Sequence, residues 1–243
     1  MRISSTRRRG TITLAAAFAV VFLAAPTTAS AGGFGPYSPQ DNVWGGYVAT
    51  GSNFTTISGS WVEPEVTCNS QNDVFAPWVG VDGYGSQTVE QTGVETNCEN
   101  GSPQYRAWYE MYPAAPVYWD DAVSAGDHFT GKVEDTGGGN YDITLTDDTA
   151  GWTEHTTQNL GASDVSAEAV IESPSQSYPS FSSLDFSGIT VNGQVFDTYS
   201  PQGLDSGGYQ PSQLSNGAFS MTGGFAQAHT RHSQAKPQAP IRY

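Results

Sequence analysis

The sequence predicts an all-β antiparallel sandwich, and three observations carry that prediction. Glycine and proline punctuate residues 32–243 so often that no stretch free of both exceeds 12 residues. Inside a helix a glycine costs about 1 kcal/mol and a proline about 3 kcal/mol, so long helices are excluded. The runs between them alternate with a period of two. Tyr105, Ala107, Tyr109 and Met111 alternate with Arg106, Trp108, Glu110 and Tyr112, and Tyr141, Ile143 and Leu145 with Asp142, Thr144 and Thr146. A similar run begins near Ser166 and carries Val170 and Ile171. Gly137-Gly138-Gly139-Asn140 and Asn192-Gly193 have the composition of hairpin turns. About a dozen short strands of this kind suit two packed, lectin-like sheets.

The chain has 243 residues, 24 of them acidic and 9 basic, for a formal charge of −15. Its first 31 residues hold Arg2, Arg7, Arg8 and Arg9, then an apolar run from Ile12 to Pro26 and an Ala29-Ser30-Ala31 end. That pattern reads as a secretory signal peptide, 1–31, and the three-Arg start suits a bacterial-type export signal. The apolar run is short of the roughly 20 residues a spanning helix needs. Without this segment the charge is −19. So few basic residues exclude a nucleic-acid footprint, and no later segment is apolar enough to anchor in a membrane. Residues 32–41 read as a flexible leader, 42–226 as a single β-sandwich domain acting as a monomer, and 227–243 as a basic, disordered tail. Cys68 and Cys98 are the two cysteines. In a secreted chain such a pair is expected to form one disulfide, and without nearby histidines they are poor metal ligands.

Familiar catalytic signatures are absent: there is no G-x-S-x-G elbow and no H-E-x-x-H helix. No metal or cofactor is called for. His128 and His155 read as solvated surface residues. Asp135-Thr136-Gly137 and Asp205-Ser206-Gly207 match the D-[TS]-G pattern of pepsin-like aspartic peptidases, but each runs into more glycine, as turns do. Three acids stand out because aromatic or apolar residues crowd them: Asp82 after Trp78, Glu110 after Trp108 and Tyr109, and Glu168 within Ala167-Glu168-Ala169-Val170-Ile171-Glu172. A carboxylate on apolar surface has its pKa raised, which suits acid–base work in acid.

At these residues the sequence resembles the glutamic peptidases of the G1 or eqolisin family. Asn42-Val43-Trp44-Gly45-Gly46 resembles the family's N-W-G/A-G opening, and Trp78-Val79-Gly80-Val81-Asp82-Gly83 its W-V-G-I-D-G block. Gln91-Thr92-Gly93-Val94 resembles the Q-T-G block with the catalytic glutamine. Tyr105 to Pro113 resembles the Y-x-A-W-Y-E-x-Y-P strand, and Ala167-Glu168 with Glu172 the A-E-x-x-x-E segment with the catalytic glutamate. The resemblance implies two packed sheets of about seven strands, a cleft on the concave face, and an acid endopeptidase insensitive to pepstatin-type inhibitors. It implies Gln91 and Glu168 as the catalytic pair. Trp44, Trp78 and Tyr112 are expected at the cleft, with Asp82 and Glu110 holding the pair in place. Two departures, Glu95 for an aspartate and Ala169 for a tryptophan, are expected near the cleft. The absence of a large propeptide before Trp44 implies a different control of activation.

Two other classes fit the composition. A non-catalytic, carbohydrate-binding lectin-like sandwich would also be aromatic-rich and secreted. A glycosidase would need paired carboxylates, but no Glu here stands two before an Asp, as an E-x-D-x-x-E strand requires. With so few basic partners, protonating carboxylates breaks few ion pairs, so the fold is expected to be as stable near pH 4 as at pH 7.

Overall fold

The computed structural model describes residues 33–223. The signal peptide at 1–31, residue 32 of the leader and the tail at 227–243 lie outside the described residues.

The described residues fold into fifteen strands and two short 3-10 turns, arranged as two antiparallel sheets. The seven-stranded sheet runs in the order β13 (Gln202–Leu204), β1 (Trp44–Thr50), β10 (Ser166–Glu172), β3 (Val74–Asp82), β4 (Val89–Asn97), β5 (Gln104–Tyr112) and β6 (Val117–Tyr118). The eight-stranded sheet runs β14 (Tyr209–Pro211), β15 (Phe219–Gly223), β11 (Ser183–Val191), β2 (Thr56–Val62), β7 (His128–Gly137), β8 (Asn140–Asp147) and β9 (Trp152–Asn159). Its eighth strand, β12 (Gln194–Val195), pairs with β11 through the turn at Asn192-Gly193. The sandwich is thus one strand larger on one side than the expected seven and seven.

Burial explains which segments alternate. In β8, Tyr141, Ile143 and Leu145 face the core, while Asp142, Thr144 and Thr146 are half-buried. After Trp152, edge strand β9 is polar throughout, which discourages further pairing. Strands β3 and β10 are buried at every position because both faces of their sheet are covered. One face packs on the second sheet, where Phe75, Val79, Val81, Ala167, Ala169 and Ile171 join the main core. The other, outer face carries a separate cluster of Phe34, Trp44, Val48, Ala76, Trp78, Val89, Trp108, Val170 and Leu204. Ala169 therefore lies away from the outer face, contrary to expectation. As the neighbour of Glu168 on a strand it must point to the opposite side.

Cys68 and Cys98 are disulfide-bonded, with Cα atoms 5.6 Å apart, and tie the ends flanking β3 and β4. Asp135-Thr136-Gly137 is not itself a turn but the irregular end of β7, just before the Gly138-Gly139 turn, where the Gly137 amide donates to Asp135 Oδ1 (2.8 Å). Asp205-Ser206-Gly207 enters a turn that Ser206 closes by a bridge with Tyr209. His128 and His155 are exposed.

Candidate active site

The site is built from one row of residues across the seven-stranded sheet. Val48 pairs with Glu168, Glu168 with Gly80, Gly80 with Gln91, and Gln91 with Glu110. Residues paired across strands share a face, so Glu168 and Gln91 point outward from the same side, two strands apart at roughly 10 Å between backbones. The residue between them is a glycine for a steric reason. A Cβ at Gly80 would stand 2.8 Å from Trp78 Cζ3, 2.9 Å from the Glu90 carbonyl and 3.0 Å from Gln91 Cβ. Gly80 therefore lets Trp78 and the Gln91 strand close in between the amide and the carboxyl.

The next row is aromatic. Val170, Trp78, Gly93 and Trp108 pair in sequence. Gly93 is required because a Cβ there would meet the Pro77 carbonyl oxygen and the Trp78 side chain. Trp44 meets Trp78 edge to face, with centroids 4.8 Å apart, and both indoles are fully buried. One row further, Trp78 Nε1 donates to Glu172 Oε2 at 3.1 Å.

Hydrogen bonds fix the acids around the pair. Gln91 Nε2 donates to Glu110 Oε2 at 3.1 Å. Asp82 accepts from the backbone amides of Ser163 (2.7 Å), Asp164 (2.9 Å) and Val165 (2.9 Å). It thereby anchors the segment entering β10, three to five residues before Glu168. Glu95, fully buried on this face, accepts from Arg106 (2.7 Å) and from the Tyr118 hydroxyl (2.6 Å). Burial pushes the Glu110 carboxyl up to about 8, against the lowering effect of the Phe34 amide. Burial also holds Glu168 well above the ordinary carboxylate range, with the Asp82 and Glu90 charges acting in the same direction. Glu172 is raised by burial and then by the Glu110 charge.

The structure brings together Gln91, Glu168, Glu110, Trp44, Trp78 and Tyr112 on the outer face, with Asp82 behind the loop into β10. Sequence reasoning missed two participants. Glu172 was legible, since a residue four along a strand returns to the same face. Phe34 was not: it lies ahead of the first strand, yet it is fully buried against Trp108, with ring centroids 4.3 Å apart.

These blocks match known proteins. The model of the Peptidase A4 family matches residues 42–207. This chain belongs to the Peptidase A4 family. Over 114 residues it is 32% identical to aspergillopepsin-2 of Aspergillus niger, covering 38% of this chain and 40% of that protein. Over 110 residues it is 34% identical to scytalidopepsin B of Scytalidium lignicola, covering 44% of this chain and 37% of that protein. The aligned stretches thus span about two fifths of these relatives. The fold resembles scytalido-glutamic peptidase solved with a peptide-based transition state analog. That match has a TM-score of 0.64 at 25% identity, over 74% of this chain and 97% of that one. In this Peptidase A4 member the matched segment takes in β1, β3, β4, β5 and β10, which supply Trp44, Gly80, Gln91, Glu110 and Glu168.

Among the described residues, no group of three or more His, Cys, Asp or Glu is arranged to hold a metal ion. No helix among them is long and apolar enough to cross a membrane.

Proposed function

We propose that this chain is a secreted acid endopeptidase that hydrolyses peptide bonds in proteins with Gln91 and Glu168, and that pepstatin-type inhibitors do not block it. The observation that carries this reading is the outward-facing pair of Gln91 and Glu168 across Gly80. Family membership supports it, as does the transition state analog bound to a protein of the same fold.

Peptide hydrolysis needs an activated water and a donor for the developing oxyanion. Glu168, as carboxylate, takes the proton of the attacking water and returns it to the leaving amine. Its raised proton affinity favours that return, and in acid only the ionised fraction of Glu168 acts as the base. Gln91 orients the water and donates to the tetrahedral oxyanion, a role in which losing one donor costs about 3–4 kcal/mol. An amide in place of a second carboxylate avoids like-charge repulsion beside Glu168. Glu110 accepts from Gln91 Nε2, which fixes the amide so that its nitrogen faces the cleft.

Purified protein is expected to cleave denatured casein at pH 3–4 with pepstatin present. Glu168→Gln and Gln91→Ala are each expected to lower kcat/KM at least about a hundredfold. Full activity in either variant sinks the assignment. Binding to insoluble polysaccharide without peptide cleavage would favour the lectin-like class instead.

A further inference from the structure

The leader lies across the site rather than away from it. Gln91 Nε2 donates to the main-chain carbonyl of Phe34 at 2.5 Å. The Phe34 amide donates to Glu110 Oε2 at 2.9 Å, and the Gly35 amide lies against Glu172. Further along, the Tyr37 amide donates to the Gly83 carbonyl at 2.9 Å. The segment is thus gripped by its backbone groups, which is how an extended peptide is held when its sequence is variable. Its one large buried side chain, Phe34, is fully covered and stacks on Trp108 with ring planes 15° apart. Tyr37 stacks on Tyr84 at 4.8 Å and leans on Trp44.

The residues flanking Phe34 are as informative as Phe34 itself. A Cβ at Gly33 would stand 2.5 Å from Glu110 Oε1, and one at Gly35 would stand 3.4 Å from the Tyr112 ring. At Gly35 that is an ordinary contact, so the face takes the aromatic Phe34 after a residue without a side chain and does not demand a glycine after it. The amide that serves the oxyanion in the proposed reaction is already occupied by a peptide carbonyl of the same chain. Because Phe34 precedes Trp44 by only ten residues, it competes with free peptides at the high effective concentration of a short tether.

We propose that Gly33–Tyr37 is an intramolecular occupant of the substrate cleft: Phe34 fills an aromatic subsite against Trp108 while Gln91 holds its carbonyl, so the chain carrying this leader is latent until the segment is displaced. The occupant also describes the substrate class, an extended peptide with an aromatic residue that stacks on Trp108. This inference rests on the proposed Gln91–Glu168 reading for its effect on turnover, but not for the occupancy itself.

Both parts are tested on the full chain. Initial rates are measured on a quenched peptide containing Gly-Phe-Gly, with protein held at pH 7 and diluted into pH 4. Phe34→Ala is expected to raise initial kcat/KM tenfold or more, with a melting curve showing that the sandwich is intact. Occupancy is read without turnover by amide hydrogen exchange in Glu168→Gln. There the Phe34 and Tyr37 amides should exchange at least tenfold more slowly than in an unstructured peptide, and Phe34→Ala should release that protection. Initial rates equal within twofold overturn latency, and exchange of both amides at the unstructured rate overturns occupancy. Either result overturns the proposal. Casein cleavage that survives Glu168→Gln while the amides stay protected would instead sink the dyad and leave the occupancy standing.

Discussion

Glu63→Gln isolates the contribution of one buried carboxyl to the pH dependence of stability. Glu63 follows β2, is fully buried, and accepts from Thr96 Oγ1 at 2.8 Å and Trp61 Nε1 at 3.3 Å. Burial pushes its pKa from 4.5 up to about 8, outweighing those two hydrogen bonds, and the Asp127 charge adds to the rise. A carboxyl whose folded pKa lies above its unfolded value binds its proton more tightly when folded. Stability is therefore full below about pH 4.5 and falls as pH rises toward 8. At about 1.4 kcal/mol per pH unit, the wild type loses up to about 3 kcal/mol between pH 4.5 and pH 7 at this residue. Glutamine has nearly the same shape and no charge to gain, but its nitrogen cannot accept, so one of the two hydrogen bonds is lost at about 1 kcal/mol. The variant should be less stable than wild type by about 1 kcal/mol at pH 4 and more stable by about 2 kcal/mol at pH 7. For a domain of this size that is a Tm about 2–4 °C lower in acid and about 4–8 °C higher at neutrality. Thermal melts followed by circular dichroism across pH 3–8 check this. Curves for the two proteins that stay parallel through the whole range would refute the reasoning.

Two further substitutions test the site's supports. Gly80→Ala drives a Cβ against the Trp78 ring, the Glu90 carbonyl and the Gln91 Cβ. It should lower kcat/KM by at least about tenfold and stability by about 1–3 kcal/mol, read from kinetics and melts of the same preparation. Asp82 has φ +68°, which asparagine tolerates, so Asp82→Asn keeps the backbone but weakens the grip on the three amides ahead of β10. A loss of about 2 kcal/mol is expected by denaturant titration, together with reduced kcat, and unchanged stability would remove Asp82 from its anchoring role.

The acidic composition takes on a specific meaning in this fold. The charge count alone predicts equal stability at pH 4 and pH 7, because few ion pairs exist to be broken. The described residues indeed contain only Arg106 and Lys132 as Lys or Arg, each beside a glutamate. What the charge count does not register is where the acids sit. Glu90 neighbours Gln91 and so faces the inter-sheet core, where burial, followed by the Asp82 charge, pushes it up to about 9. With Glu63 and Glu110 it makes the fold favour acid over neutrality. Asp73 opposes them. Hydrogen bonds from Ser177, Ser70 and Asn69 outweigh its burial and lower its pKa, so its share of stability is lost as pH falls through that depressed value.

The sequence by itself determined the all-β class, several of the strands and the hairpin turns near Gly137–Asn140 and Asn192-Gly193. Those depend on local periodicity and on glycine and proline, which act over a few residues. The ordered blocks named Gln91 and Glu168, and alternation alone puts Gln91, Glu110, Glu168 and Glu172 on sites that neighbouring strands can share. The tertiary structure decided the register that sets Gln91 and Glu168 either side of Gly80, turned Ala169 into the core, and buried Glu63 and Glu90 deeply enough to keep their protons. It also decided that Phe34 stacks on Trp108 on the outer face of the sheet. Each of these depends on contacts between residues distant in the chain, and both burial and the pKa that follows from it come from the assembled neighbours rather than from the residue alone.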